Sequence, residues 1–193
     1  MKFKQSSSVI VITFILALAF PASLTGQEHP AEHHKYELID LGTFGGPASI
    51  LLGDYALNGR GLAVGAAETS LSDPPNSNGF PCGPGTFVYH GLEWRKGAVM
   101  DLGALPPVDQ NCSNSQSIND RGDSAGNSET DHIDPAIGVT ALRAVIWKNG
   151  HIQDLGTLGG DESVAFVINN KGQATGLAPL SYTHLTLPTK RIV

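Results

Sequence analysis

Three aspartates hold the same place in a recurring motif. Asp40 opens Asp40-Leu41-Gly42-Thr43-Phe44-Gly45-Gly46, Asp101 opens Asp101-Leu102-Gly103-Ala104-Leu105-Pro106-Pro107, and Asp154 opens Asp154-Leu155-Gly156-Thr157-Leu158-Gly159-Gly160. Carboxylates at one repeated position can ring a cation or a polar ligand if their segments converge. The simpler reading is that each accepts a backbone N–H at a turn beside glycine. We expect the simpler one. Asp131-His132-Ile133-Asp134 is too sparse for a calcium loop, and no Asp-x-Asp-x-Asp-Gly run is present. His29, His33 and His34 stand with Glu28 and Glu32 near the N-terminus, but their segment has no apolar framework to fix a ligand set. No metal and no cofactor is expected.

The chain has two cysteines, Cys82 and Cys112, both in stretches rich in Pro, Ser and Asn. A catalytic thiol needs a base or cation that lowers its pKa, and no spacing supplies one. An even number in an exported chain favours a disulfide. Closing this loop of 31 residues would add about 3–4 kcal/mol in the chain-entropy model. Arg121-Gly122-Asp123 spells the tripeptide read by integrins. It falls in a turn that elsewhere reads Arg60-Gly61-Leu62 and Lys171-Gly172-Gln173, so the turn accounts for Arg and Gly. The chain lacks Gly-x-Ser-x-Gly, His-Glu-x-x-His and the Gly-Lys-Ser/Thr ending of a phosphate loop. No catalytic residue is assigned, and the reading leans away from an enzyme.

The elements that carry these residues repeat. The Asp-Leu-Gly aspartate leads to Asn58, Asn119 and Asn169 after 18, 18 and 15 residues. Each asparagine opens a turn: Asn58-Gly59-Arg60-Gly61, Asn119-Asp120-Arg121-Gly122 and Asn169-Asn170-Lys171-Gly172. Gly65, Gly126 and Gly176 each come four positions after the turn. Trp94 and Trp147, in Trp94-Arg95-Lys96-Gly97 and Trp147-Lys148-Asn149-Gly150, each stand seven residues before an Asp-Leu-Gly aspartate. We take both tryptophans as core residues of equivalent strands. Ala144–Trp147 is apolar and β-prone, Asn149-Gly150 suits a tight hairpin, and His151–Leu155 alternates as a return strand should. Val164–Ile168 and Gln173–Leu177 flank the next turn as a second hairpin.

That grouping gives four strands in roughly 40 residues, and nothing in the mature chain has helical periodicity. The expected fold is all-β: a repeat architecture, partial and β-propeller-like, with a β-solenoid or stacked hairpins as the alternative. Each unit buries its apolar face only against a neighbour. Under three complete units fall within residues 36–180, so the expectation is a truncated array.

Both ends differ from this pattern. Lys2 and Lys4 precede an apolar stretch from Val9 to Phe20, then Pro21 and small residues, which reads as a signal peptide over residues 1–26. Residues 27–35 read as a linker. Residues 181–193, beginning Ser181-Tyr182-Thr183-His184-Leu185-Thr186-Leu187-Pro188-Thr189, look like the translation of a sequencing adapter and are expected to be non-native. Setting aside Lys2, Lys4, Lys190 and Arg191 from the 12 basic residues leaves 8 against 18 acidic ones, a formal charge of −10. Such a surface repels phosphate backbones and anionic headgroups, which argues against nucleic acid and against membrane contact beyond export.

The order Asp-Leu-Gly-Thr-Leu-Gly-Gly, Ser163-Val164-Ala165, Ile168-Asn169 with Gly172, and the strand ending in Trp147 resembles the HAF-type extracellular repeat family of bacteria. The family's His-Ala-Phe signature is degenerate here, reading Thr86-Phe87-Val88 and Arg143-Ala144-Val145. The resemblance covers residues 36–177. It implies a secreted, extracellular or periplasmic protein with a propeller-like fold, and it brings no catalytic residues. The expected function is a non-catalytic binding scaffold for a protein or glycan ligand. The alternative is a fragment of a propeller-scaffold enzyme acting on glycans.

Overall fold

The computed structural model describes residues 36–80, 82 and 86–180. Residues 1–26 and 27–35, read above as a signal peptide and a linker with a His/Glu cluster, and the tail at 181–193 lie outside the described residues. Chain contacts divide after Leu38, and every strand belongs to the unit from Ile39 onward. The described residues of that unit form ten strands in antiparallel sheets, with no helix and no closed barrel.

The first sheet is a meander of β1 (Gly45–Ile50), β2 (Ala63–Ser72), β3 (Phe87–Arg95) and β4 (Ala98–Gly103) in that order. The second repeats the order with β5 (Ser113–Ile118), β6 (Ser124–Ile133), β7 (Thr140–Lys148) and β8 (His151–Asp154). A two-stranded sheet of β9 (Val164–Ile168) and β10 (Ala174–Leu177) comes last. The last hairpin of the second sheet turns on Asn149-Gly150, as anticipated, and that of the first sheet turns in the same way on Lys96-Gly97. Lys96 and Gly97 have φ of 51° and 87°, and Asn149 and Gly150 have 52° and 76°. Positive φ at both central residues gives the hairpin twist that right-handed strands need.

The four-strand grouping drawn from sequence is cut differently. β7 and β8 finish the second sheet, whereas β9 and β10 begin another. Between them Gly156 and Gly159 take φ of 72° and 108°, turning the chain out of the sheet. Both hairpins look alike in sequence, so composition could not place this break.

β2 and β6 each start with a continuous buried run instead of alternating in and out. β5 packs on β2 and β9 packs on β6, so the next sheet covers one face of each strand along this run. The close approach within each hairpin explains Gly65, Gly126 and Gly176. A Cβ there would collide with the carbonyls of Ile50, Asn114 and Val164 respectively.

Candidate ligand cleft

Successive sheets are joined at one end by their asparagine turns. In every turn the Asn Oδ1 accepts two backbone N–H bonds: from Arg60 and Leu62 at Asn58, from Arg121 and Asp123 at Asn119, and from Lys171 and Gln173 at Asn169, all at 2.9–3.0 Å. The Nδ2 group then reaches the next sheet. Asn58 donates to the Asn119 carbonyl at 2.8 Å, and Asn119 donates to the Asn169 carbonyl at 3.0 Å. The Asn amide carries its acceptor and its donors on one planar group a single methylene from the backbone. Asn169 ends the ladder, donating to Gln173 Oε1 within its own turn.

A serine joins the sheets again, six residues before the asparagine. Ser113 Oγ accepts from Gly91 N at 2.8 Å and donates to the Gly103 carbonyl at 2.7 Å. Ser163 Oγ does the same with Ala144 N at 2.9 Å and the Gly156 carbonyl at 2.6 Å. Ser163 stands in the repeat motif quoted above, and Ser113 is its counterpart one sheet earlier. The constant six-residue spacing to Asn119 and Asn169 was the signal for it.

The three Asp-Leu-Gly aspartates do not converge on a ligand. Each accepts the N–H two residues on: Gly42 to Asp40 at 2.9 Å, Gly103 to Asp101 at 2.7 Å, and Gly156 to Asp154 at 2.7 Å. Asp101 also holds His90, whose Nδ1 lies 2.9 Å from Oδ2 while Nε2 meets the Val108 carbonyl at 2.8 Å. Burial would lower the imidazole pKa, but the Asp101 carboxylate and the Val108 carbonyl outweigh it and hold it above its ordinary value. With both nitrogens engaged, His90 is held in a structural role and is a poor general base.

The tryptophans part company. Trp147 is 3% exposed and its ring lies against Gly91 of the first sheet. Trp94 is only half-buried, in an apolar groove with Ile39, Leu41, Leu51, Leu57 and Ala63. The expectation of two equivalent core tryptophans is therefore corrected. Among the described residues, no sheet packs over the Trp94 side as the first sheet packs over Trp147.

The arrangement with most scope for recognition is the cleft of about 360 Å³ between the first two sheets, beside these junctions. Its cations are Arg95 and Lys148 from the Trp hairpins and Arg121 from the asparagine turn. Buried Glu93 and Asp123 hold the inner sides of the guanidinium groups, Arg95 to Glu93 at 2.6 Å and Arg121 to Asp123 at 2.8 Å. The arginine side chains stay 49% and 47% exposed, and each pairs with its carboxylate through Nε and Nη2. Trp147 lines the same cleft, and its buried Nε1 has no hydrogen-bond partner. Asp123 is buried and bonded to Asn119 and Arg121, which closes Arg121-Gly122-Asp123 to an adhesive reading.

A second polar centre escaped the sequence reading. Glu68 and Glu129 are both buried in Gly-x-x-Glu-Thr, the segments Gly65–Thr69 and Gly126–Thr130. Glu129 accepts from Ser77 Oγ at 2.7 Å, Asn78 N at 2.5 Å and Cys112 N at 3.0 Å. Glu68 accepts from Ala48 N at 2.8 Å. Burial, then the hydrogen bond and charge of Glu68, push the Tyr89 hydroxyl up to about 12. Beside Glu129, Asp73 is pushed up to about 6, mainly by burial and further by the Glu129 charge, while Ser77 acts the other way. Cys82 and Cys112 are joined as a disulfide there, with Cα atoms 6.2 Å apart.

No protein-family model matches the chain, and no curated protein or solved structure matches it.

Proposed function

We propose that the chain belongs to an exported bacterial repeat protein of the HAF type, propeller-like in build, which binds a ligand without transforming it. The proposed ligand group is a carboxylate on an acidic glycan, received by the cleft between the first two sheets. One observation carries this reading. In a chain whose mature part has 8 basic residues against 18 acidic ones, three of those eight gather in one cleft. Concentrating cations on an acidic body gives a local site for an anion that the rest of the surface repels. The guanidinium forks suit a planar carboxylate.

Two four-stranded meanders in chain order, joined by the same Asn and Ser bonds, support a propeller-like reading over a solenoid. Export rests on the character of residues 1–26, and a disulfide suits an oxidising compartment such as the periplasm or the exterior. The enzyme alternative gains nothing from His90 and Asp101, whose polar atoms are committed to structure.

The test is calorimetric titration of the secreted protein with uronic-acid oligosaccharides and their neutral counterparts. Binding should favour the acidic series, weaken with salt, and fall about tenfold in Arg95→Gln or Lys148→Gln. Equal binding of the neutral series, or unchanged affinity in both variants, would overturn the cleft assignment. Cleavage of the sugar during titration would move the reading to the enzyme alternative.

A further inference from the structure

The cysteine pair has a third partner. Cys112 Sγ lies 3.4 Å from Asp73 Oδ1. One ligand atom from each of Asp73, Cys82 and Cys112 falls within 4.8 Å of the others, and all three residues are buried. A disulfide carries no S–H, so this approach is no hydrogen bond in the oxidised protein. Asp73 is 7% exposed, yet its Oδ2 has no partner at hydrogen-bond distance, because the Ser77 hydroxyl that eases its ionisation points its proton to Glu129 Oε1 at 2.7 Å. Glu129 brings a second negative charge, and its oxygens are already taken by Ser77, Asn78 and Cys112. Among the described residues no ion pair includes Asp73. A buried carboxylate oxygen without a donor or cation is expensive and calls for a reason.

We propose that Asp73, Cys82 and Cys112 form a binding site for a thiophilic divalent cation such as Zn²⁺ when the disulfide is reduced. A dithiol reductant supplies two electrons, is itself oxidised to a disulfide, and leaves Cys82 and Cys112 as thiols. The cation then takes both sulfurs as thiolates, and the two protons pass to the buffer. Two thiolates beside Asp73 and Glu129 would crowd negative charge into a desolvated space, and the cation offsets it. Two sulfurs and one carboxylate oxygen, with a fourth position left for water, suit Zn²⁺. Ligands of a tetrahedral ion stand about 3.5–3.8 Å apart, given metal–ligand distances of about 2.0–2.3 Å. The backbone already serves the sulfurs: Tyr89 N lies 3.2 Å from Cys82 Sγ and 3.4 Å from Cys112 Sγ. Such donors orient ligating sulfurs and soften their charge. The same two points of the chain are thus fastened by a covalent bond when oxidised and by an ion when reduced.

The test uses the full chain, reduced with a phosphine, desalted without oxygen and titrated with Co²⁺. Thiolate-to-cobalt charge-transfer absorption and the visible bands of a four-coordinate ion should appear, and Zn²⁺ should abolish them. The oxidised chain should show neither. Asp73→Asn, which keeps the shape of the side chain, should weaken Co²⁺ at least about tenfold. Zn²⁺ should also protect both thiols of the reduced wild-type chain from alkylation, counted by mass, whether or not the variant folds. Absence of the bands, absence of protection, or equal affinity in Asp73→Asn would each overturn the proposal.

Discussion

Replacing Asn119 by alanine removes the centre of the ladder that joins the sheets. The side chain makes four hydrogen bonds: it accepts from Arg121 N and Asp123 N at 2.9 and 3.0 Å, and donates to the Asn169 carbonyl and Asp123 Oδ2 at 3.0 and 3.1 Å. The residue is 4% exposed, so water cannot replace most of these partners. At about 1 kcal/mol per bond, with more where a buried partner is left unpaired, the loss is about 4 kcal/mol. Asn169→Ala is the matched control. It removes the same two acceptor bonds and the donation to Gln173, but in an exposed turn, where water substitutes. Its cost should be about 1 kcal/mol. Urea unfolding monitored by circular dichroism separates the two. With a slope of about 2 kcal/mol per molar, Asn119→Ala should lower the midpoint by about 2 M and Asn169→Ala by about 0.5 M. Midpoints within about 0.2 M of each other would refute the reasoning, because the bond between sheets would then carry no more than an exposed cap.

Packing and charge set three further outcomes. Gly126→Ala should cost about 3 kcal/mol or more in the same unfolding assay, since its Cβ meets the Asn114 carbonyl, whereas Gly150→Ala, with φ of 76° and open space, should cost about 1–2 kcal/mol. Asp73 binds its proton more tightly folded than unfolded, so its contribution is complete below about pH 4 and is lost as pH rises through about 6. Asp73→Asn should therefore stabilise the oxidised chain by about 1–2 kcal/mol at pH 8, after allowing for solvent screening, and by little at pH 4, read from denaturation at both pH values. Opening the disulfide by Cys82→Ser with Cys112→Ser should lower stability by about 3–4 kcal/mol, given a sequence separation of 30.

The turns were the most legible part of the sequence, because their chemistry is local. Asn149-Gly150 can form only a narrow set of turns, and Asn58, Asn119 and Asn169 bond to N–H groups two and four residues on. The aspartates were legible for the same reason. Sheet membership was not, because it depends on which hairpin stops pairing, and Leu155 to Ser163 resembles any other glycine-rich link. β5 was illegible too: Ser113, Asn114, Ser115 and Ser117 are buried although all four are polar. Neighbouring sheets decide that burial, through bonds such as Ser113 to Gly91. The cleft cations sit in residues first noticed as turn spacers, and only the packing of two sheets brings Arg95 and Arg121 together. Trp94 and Trp147 share one sequence context and differ in exposure, because Trp147 has a sheet packed over it.

The most direct test of the account is solution NMR of the asparagine side chains, reading scalar couplings transmitted through hydrogen bonds. Couplings are expected from Asn58 Nδ2 to the Asn119 carbonyl carbon and from Asn119 Nδ2 to the Asn169 carbonyl carbon, with slowed exchange of both amide groups. Absence of both couplings, with side-chain amides exchanging as fast as those of an unfolded peptide, would contradict the account.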